Sequence, residues 1–128
     1  MSIAKTKPTD AELDILRVLW DHGPCTVRQV HEFLNSDPPR GYTTVLKLMQ
    51  IMSEKGLVKR DERQRAHVYE ACVSADQTQK NLVTHLLDRA FEGSAGKLVM
   101  QALSTHPASA EELEEIRRLL DDMEGKKS

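Results

Sequence analysis

The feature that most constrains this chain is a change of hydrophobic period near residue 56. Before it, apolar residues recur at helical spacing; after it, two short segments alternate as strands do. Thr9 and Glu12 stand at the spacing of a capping box, in which each side chain satisfies a free amide at a helix start. Leu13, Leu16 and Trp20 follow at i, i+3 and i+7, with Ile15 and Leu19 widening the stripe, until His22-Gly23-Pro24 stops it. A first helix is expected over about 10–21. Thr26-Val27-Arg28-Gln29 repeats the capping spacing, and Val27, Val30 and Leu34, with Phe33 beside them, mark a short helix over about 27–35. Asn35 to Gly41 holds too many turn formers to be other than a loop. Val45, Leu48, Met49 and Met52 then define a third helix over about 43–54, closed by Gly56.

Leu57-Val58-Lys59-Arg60 and Ala66-His67-Val68-Tyr69-Glu70-Ala71 read as two strands joined by the charged segment Asp61-Glu62-Arg63-Gln64-Arg65. Three short helices followed by a β-hairpin is the element order of a winged helix-turn-helix, assigned here to residues 1–72. Residues 73–128 return to helix. Ser74 and Gln77 form a third capping spacing, before a stripe of Leu82, Val83, Leu86, Leu87, Ala90 and Phe91 over about 75–91. A short helix carries Leu98, Val99, Ala102 and Leu103, and Ser109 with Glu112 opens a last one bearing Leu113, Ile116, Leu120 and Met123. Helices this short are marginal in water without tertiary burial. They need a covering surface, and a second copy of the chain is the simplest one. The expected fold is therefore mainly α, an N-terminal winged helix-turn-helix with a β-hairpin wing followed by a C-terminal helical dimerisation region. Leu82, Leu86, Leu87, Phe91, Leu98, Leu113, Ile116 and Leu120 are the expected interface.

A near-neutral total, 18 Lys+Arg against 20 Asp+Glu, conceals a local asymmetry. Residues 40–67 carry Arg40, Lys47, Lys55, Lys59, Arg60, Arg63 and Arg65 against Glu54, Asp61 and Glu62. In a helix-turn-helix the second helix of the pair enters the major groove and shows its N-terminal side chains to base edges. Thr43, Thr44, Lys47 and Gln50 lie opposite the apolar stripe of the third helix and suit that task, threonine for a thymine methyl and lysine for guanine O6 and N7. Tyr42 precedes them. Arg40 before the helix and Arg63, Arg65 and His67 on the hairpin are placed for phosphates, contacts that set position and affinity more than sequence preference.

Other chemistries find less support. His22, Cys25 and His31 lack a fourth ligand at tetrahedral spacing, so no metal and no cofactor is expected. Cys25 and Cys72 form no disulfide framework; they are expected to pack, one before the second helix and one at the end of the second strand, in a reducing cytoplasm. No phosphate loop, nucleophile elbow or metalloprotease motif is present, so the chain does not read as an enzyme. The acidic run Glu111, Glu112, Glu114, Glu115 complements a helix dipole. Single-strand or RNA binding would want stacking aromatics, but Trp20, Phe33 and Phe91 sit in helical stripes where core packing is expected, leaving only Tyr42 and Tyr69. No apolar run approaches the length of a membrane helix, and the first residues do not read as a secretion signal. The alternative from another class is a winged-helix module that binds protein rather than DNA.

Thr9-Asp10-Ala11-Glu12-Leu13-Asp14-Ile15-Leu16 with Leu19-Trp20, Thr26-Val27-Arg28-Gln29-Val30, Tyr42-Thr43-Thr44-Val45, Glu54-Lys55-Gly56-Leu57-Val58 and Arg65-Ala66-His67-Val68-Tyr69 together resemble the penicillinase-repressor family of bacterial transcription factors. The similarity is strong over the first 72 residues and rests on helix pattern thereafter. It implies a homodimeric repressor on an inverted-repeat DNA operator, with Thr43, Thr44, Lys47 and the hairpin from Arg63 to His67 on the DNA and the C-terminal helices making the dimer. It also implies release by a membrane sensor and cleavage in the C-terminal region, at an Asn-Phe bond in the best-known type. Here the matching place reads Gln101-Ala102, a departure from that bond. The paired Cys-x-Cys motifs of copper-responsive relatives do not occur in the closing Asp121 to Ser128 segment.

Overall fold

The computed structural model describes residues 7–34 and 38–125. Residues 35–37 of the expected loop and 126–128 of the closing segment lie outside the described residues. The first helix, α1 (Asp10–His22), opens on the expected box: the Glu12 amide donates to Thr9 Oγ1 at 3.2 Å and the Thr9 amide to Glu12 Oε1 at 2.9 Å. It closes at Gly23, whose φ of 82° is one that L side chains rarely adopt.

Next comes an element that the sequence did not disclose. Cys25–Thr26 form a two-residue strand, β1, too short to display any period. Thr26 serves twice, as a strand residue and as the cap of α2 (Val27–Phe33), where its hydroxyl accepts from the Gln29 amide at 3.2 Å and its own amide donates to Gln29 Oε1 at 2.9 Å. The third helix, α3 (Tyr42–Lys55), ends in Gly56 at φ 84°, a left-handed turn that lets the Leu57 amide reach the Met52 carbonyl at 2.9 Å. That turn delivers Leu57 and Val58 straight into the core.

The hairpin strands are β2 (Val58–Asp61), shifted one residue from the expected segment so that Leu57 falls outside and Asp61 within, and β3 (Val68–Ala71), shorter than expected because Ala66 and His67 stand outside it. The sheet is three-stranded and antiparallel in the order β1-β3-β2, with Cys25 opposite Tyr69 and Arg60 opposite Tyr69 on the other side. Through β1 the start of α2 is therefore tied to the wing. Ile15, Leu16 and Leu19 of α1, Val30 of α2, and Val45, Met49 and Met52 of α3 close the core with Leu57, Val58 and Tyr69.

Three aromatic or thiol expectations need correction. Phe33, expected in the core, is 46% exposed and stacks on the His22 ring at 3.8 Å, because it is the last residue of a two-turn helix whose buried positions are Val27 and Val30. Tyr69, left among the free aromatics, is 1% exposed, on the face of the middle strand that closes on the helical core. Cys72, expected to pack, is exposed: it follows Glu70 at the two-residue spacing of one sheet face, and that face is the outer one. Cys25 is buried as expected. Trp20 is only half-buried and donates its indole N–H to the Val73 carbonyl at 2.9 Å.

Beyond Val73 come α4 (Ala75–Ala90), α5 (Ala95–Thr105) and α6 (Ala110–Gly125). Ser74 caps the first, accepting from the Gln77 amide at 3.0 Å, and Ser109 forms a full box with Glu112, both bonds at 3.1 Å. The chain falls into two compact units divided between Thr84 and His85, inside α4, whereas the sequence reading divides it after Cys72. Thr78 of α4 is buried within the first unit. No residue of α5 or α6 is buried.

Candidate nucleic-acid interface

The phase of α3 sets the site. Burial of Val45, Met49 and Met52 turns the opposite face outward, and Thr43, Thr44, Lys47 and Gln50 are all exposed on it. Residues 43, 47 and 50 repeat at i, i+4 and i+7, so they form one stripe along the helix. Tyr42, at the first position, is 43% exposed.

Between α3 and the hairpin lies a cleft of about 490 Å³. It brings together Tyr42, Gln50, Arg65 and His67 from the expected set, and adds Arg28 and Arg60, which the sequence reading did not single out. Arg28 stands at the second position of α2 with its guanidinium carbon 5.9 Å from the Tyr42 ring centroid, within cation–π range. The His31 ring meets the same tyrosine edge-on at 6.1 Å, which holds Tyr42 at the entrance to α3. Arg60 faces its cross-strand partner Tyr69. A hydrogen bond to the Tyr69 hydroxyl, and the Glu62 carboxylate beside it, push its already high pKa further up. Among the described residues lining the cleft three are arginines and none is acidic. The signal for Arg60 was available in the two-residue period that places it on the face of Val58; Arg28 had none, because the cleft is made by packing.

Five expected residues, Arg40, Thr43, Thr44, Lys47 and Arg63, stand outside that cleft, and two of them are already engaged. Arg40 places Nη1 3.2 Å from Asp14 Oδ2 on α1, and its carbonyl lies 3.0 Å from His31 Nε2. Arg63 is 88% exposed and forks onto Asp61, Nε at 2.9 Å from Oδ1 and Nη2 at 2.6 Å from Oδ2. The Arg63 side chain and backbone amide together hold the Asp61 carboxyl down to about 2. Arg65 and Lys47 make no ion pair among the described residues.

His22, Cys25 and His31 have separate partners: the Phe33 ring, the Gly23 carbonyl at 3.3 Å, and the Arg40 carbonyl. Among the described residues no group of three or more His, Cys, Asp or Glu is disposed to hold a metal ion, and no helix is long and apolar enough to cross a membrane.

An exposed polar stripe on the third helix beside a basic hairpin cleft is what a winged-helix DNA reader presents, and the family model of the penicillinase repressor matches residues 8–122. The chain belongs to the penicillinase repressor family. Membership places it among transcriptional repressors rather than enzymes. This repressor is 32% identical over 120 residues to the transcriptional regulator BlaI of Mycobacterium tuberculosis, covering 93% of this chain and 86% of that one. It is 22% identical to the penicillinase repressor of Bacillus licheniformis, covering 93% of each. Its fold also aligns, at a TM-score of 0.48 and 22% identity, with the solution structure of the DNA-binding domain of the repressor BlaI, over 58% of this chain and 88% of that one.

Proposed function

We propose that this repressor acts as a homodimer on an inverted-repeat operator in double-stranded DNA, each subunit laying α3 in the major groove. The observation that carries this reading is the outward stripe of Thr43, Thr44, Lys47 and Gln50, opposite the buried Val45, Met49 and Met52. Lys47 serves a guanine edge and the threonines serve thymine methyls or base oxygens. Arg28, Arg60, Arg65 and His67 in the cleft, with Arg40 and Arg63 outside it, serve phosphates. Tyr42, held between Arg28 and His31, sets where the helix meets the backbone.

The second copy covers the C-terminal helices. Leu82, Leu87, Phe91, Leu98, Leu113 and Ile116 are only half-covered in the single chain, and Leu86 and Leu120 are exposed, as is Met100 at 71%. Apolar side chains at that density on three helices support a partner surface. The repressor works in the cytoplasm and leaves its operator when an upstream sensor or protease acts. Gln101-Ala102, in exposed positions of α5, departs from the Asn-Phe bond that the family resemblance implies as a cleavage point.

Selection of bound duplexes from a random pool tests the reading, with affinity for the winner followed against salt. The expected result is an inverted repeat with half-sites about one helical turn or a multiple apart, a turn being about 34–36 Å, and a steep salt slope. A folded sample that enriches nothing would move the weight to a protein-binding winged helix.

A further inference from the structure

The wing holds four basic residues, Lys59, Arg60, Arg63 and Arg65, yet two of its arginines are neutralised within the hairpin itself. Arg60 pairs with Glu62, and Arg63 forks onto both oxygens of Asp61 while its backbone amide donates to Asp61 Oδ1 at 3.0 Å. A carboxylate accepting a guanidinium fork uses the same geometry as a phosphate does. Both pairs join residues two apart in the chain, so the carboxylate is always at hand.

We infer that Asp61 and Glu62 are internal phosphate mimics that hold Arg63 and Arg60 in the free repressor and give them up to DNA phosphates only when α3 is seated on its own sequence. The inference rests on the DNA-binding reading above. On an arbitrary duplex the wing docks loosely, phosphate contacts are transient, and the tethered carboxylate wins the arginine through its effective concentration. On the operator, base contacts by α3 fix the wing against the backbone, and the phosphate stands in one place long enough to replace the carboxylate. The two acids therefore lower affinity most on the operator, where both pairs must open, and little on other DNA, where the pairs stay closed and the arginine–phosphate contacts are not made. Arg65, which has no carboxylate partner among the described residues, gives the sequence-independent attraction.

The test uses the full chain with Asp61→Asn, Glu62→Gln and the double variant, and Glu70→Gln as the control. Glu70 is an exposed acid on β3 that holds no arginine in the structure, so its variant changes the same charge without freeing a guanidinium. Affinity is measured against salt on three probes: the duplex selected from the random pool, a scrambled 30-base-pair duplex, and heparin. The expected result is a rise of about three- to fivefold per variant on the selected duplex, the scale of releasing an exposed pair that the wild type must open there, with less than about twofold on the scrambled one. The salt slope on the scrambled duplex steepens by less than the value of about 0.9 for a full phosphate contact. Elution from heparin shifts to higher salt for the pair variants and little for Glu70→Gln. Equal gains on both duplexes, no gain on either, or a gain from Glu70→Gln as large as from Asp61→Asn would each overturn the inference. Wild-type protein that binds neither duplex would sink the DNA reading instead, and the heparin arm then decides alone whether the carboxylates mask the arginines.

Discussion

Lys55, at the end of α3, places its ammonium 2.9 and 2.8 Å from the two carboxylate oxygens of Glu12, in the first turn of α1. Glu12 is 2% exposed, and one of its oxygens also receives the Thr9 amide. One carboxylate thus closes the cap of the first helix and ties it to the far end of the helix that carries the candidate base-reading residues. Lys55→Met leaves that carboxylate buried with its cap bond alone. Since Lys55 is a quarter exposed and water can enter, the cost should be about 3 kcal/mol, the low end for breaking a buried pair. Denaturant unfolding checks it, and the double variant with Glu12→Gln should recover part of the loss; full additivity of the two changes would show that the pair is not coupled.

How far such features could be read in the sequence depends on their range. The boxes at Thr9 and Glu12, Thr26 and Gln29, and Ser109 and Glu112 are local, three residues wide, and formed as their spacing implies. The outward face of α3 was equally legible because one helix sets it by phase. The Glu12–Lys55 pair spans 43 residues and left no local trace. Strand β1 was missed because two residues carry no period; Tyr69 is buried because it alternates with exposed Glu70 and its sheet face, shared with Val58, closes on the helical core. Arg28 reaches the cleft only once α2, α3 and the hairpin have packed, whereas the strand period already places Arg60 on the face of Val58.

The division of the chain inside α4 makes a truncation prediction. Ending the protein after Cys72 removes Val73, which accepts the Trp20 indole N–H, and Thr78, which is buried in the first unit. Such a fragment should be markedly less stable than one ending after Thr84. The longer fragment should be a monomer that binds the selected duplex about 100-fold or more weakly than the full chain, having lost the avidity of two linked half-site contacts. Sedimentation and binding titrations check this; a dimeric 1–84 fragment would refute the assignment of dimerisation to the C-terminal helices.

Asp61 gives a pH signature. Its folded pKa is depressed from 3.8 to about 2 by Arg63, so whatever stability the pair provides is fully present above the unfolded value and is lost as pH falls through about 2. Between pH 7 and 5 the pair stays closed. A carboxyl-carbon NMR titration should show a midpoint near 2 in the wild type and a return toward 3.8 in Arg63→Gln. An Asp61 midpoint already at its ordinary value would mean that the fork does not persist in solution.

The central claim is that α3 reads bases while the hairpin holds the backbone, and Lys47→Ala against Arg65→Ala separates the two most directly. Selecting duplexes with each variant in parallel, and following affinity against salt, should give relaxed preference at one position of each half-site for Lys47→Ala. Arg65→Ala should bind every sequence more weakly, with a salt slope lower by about 0.9 and the preference intact. Unchanged affinity and unchanged sequence preference in Lys47→Ala would contradict the placement of α3 in the groove.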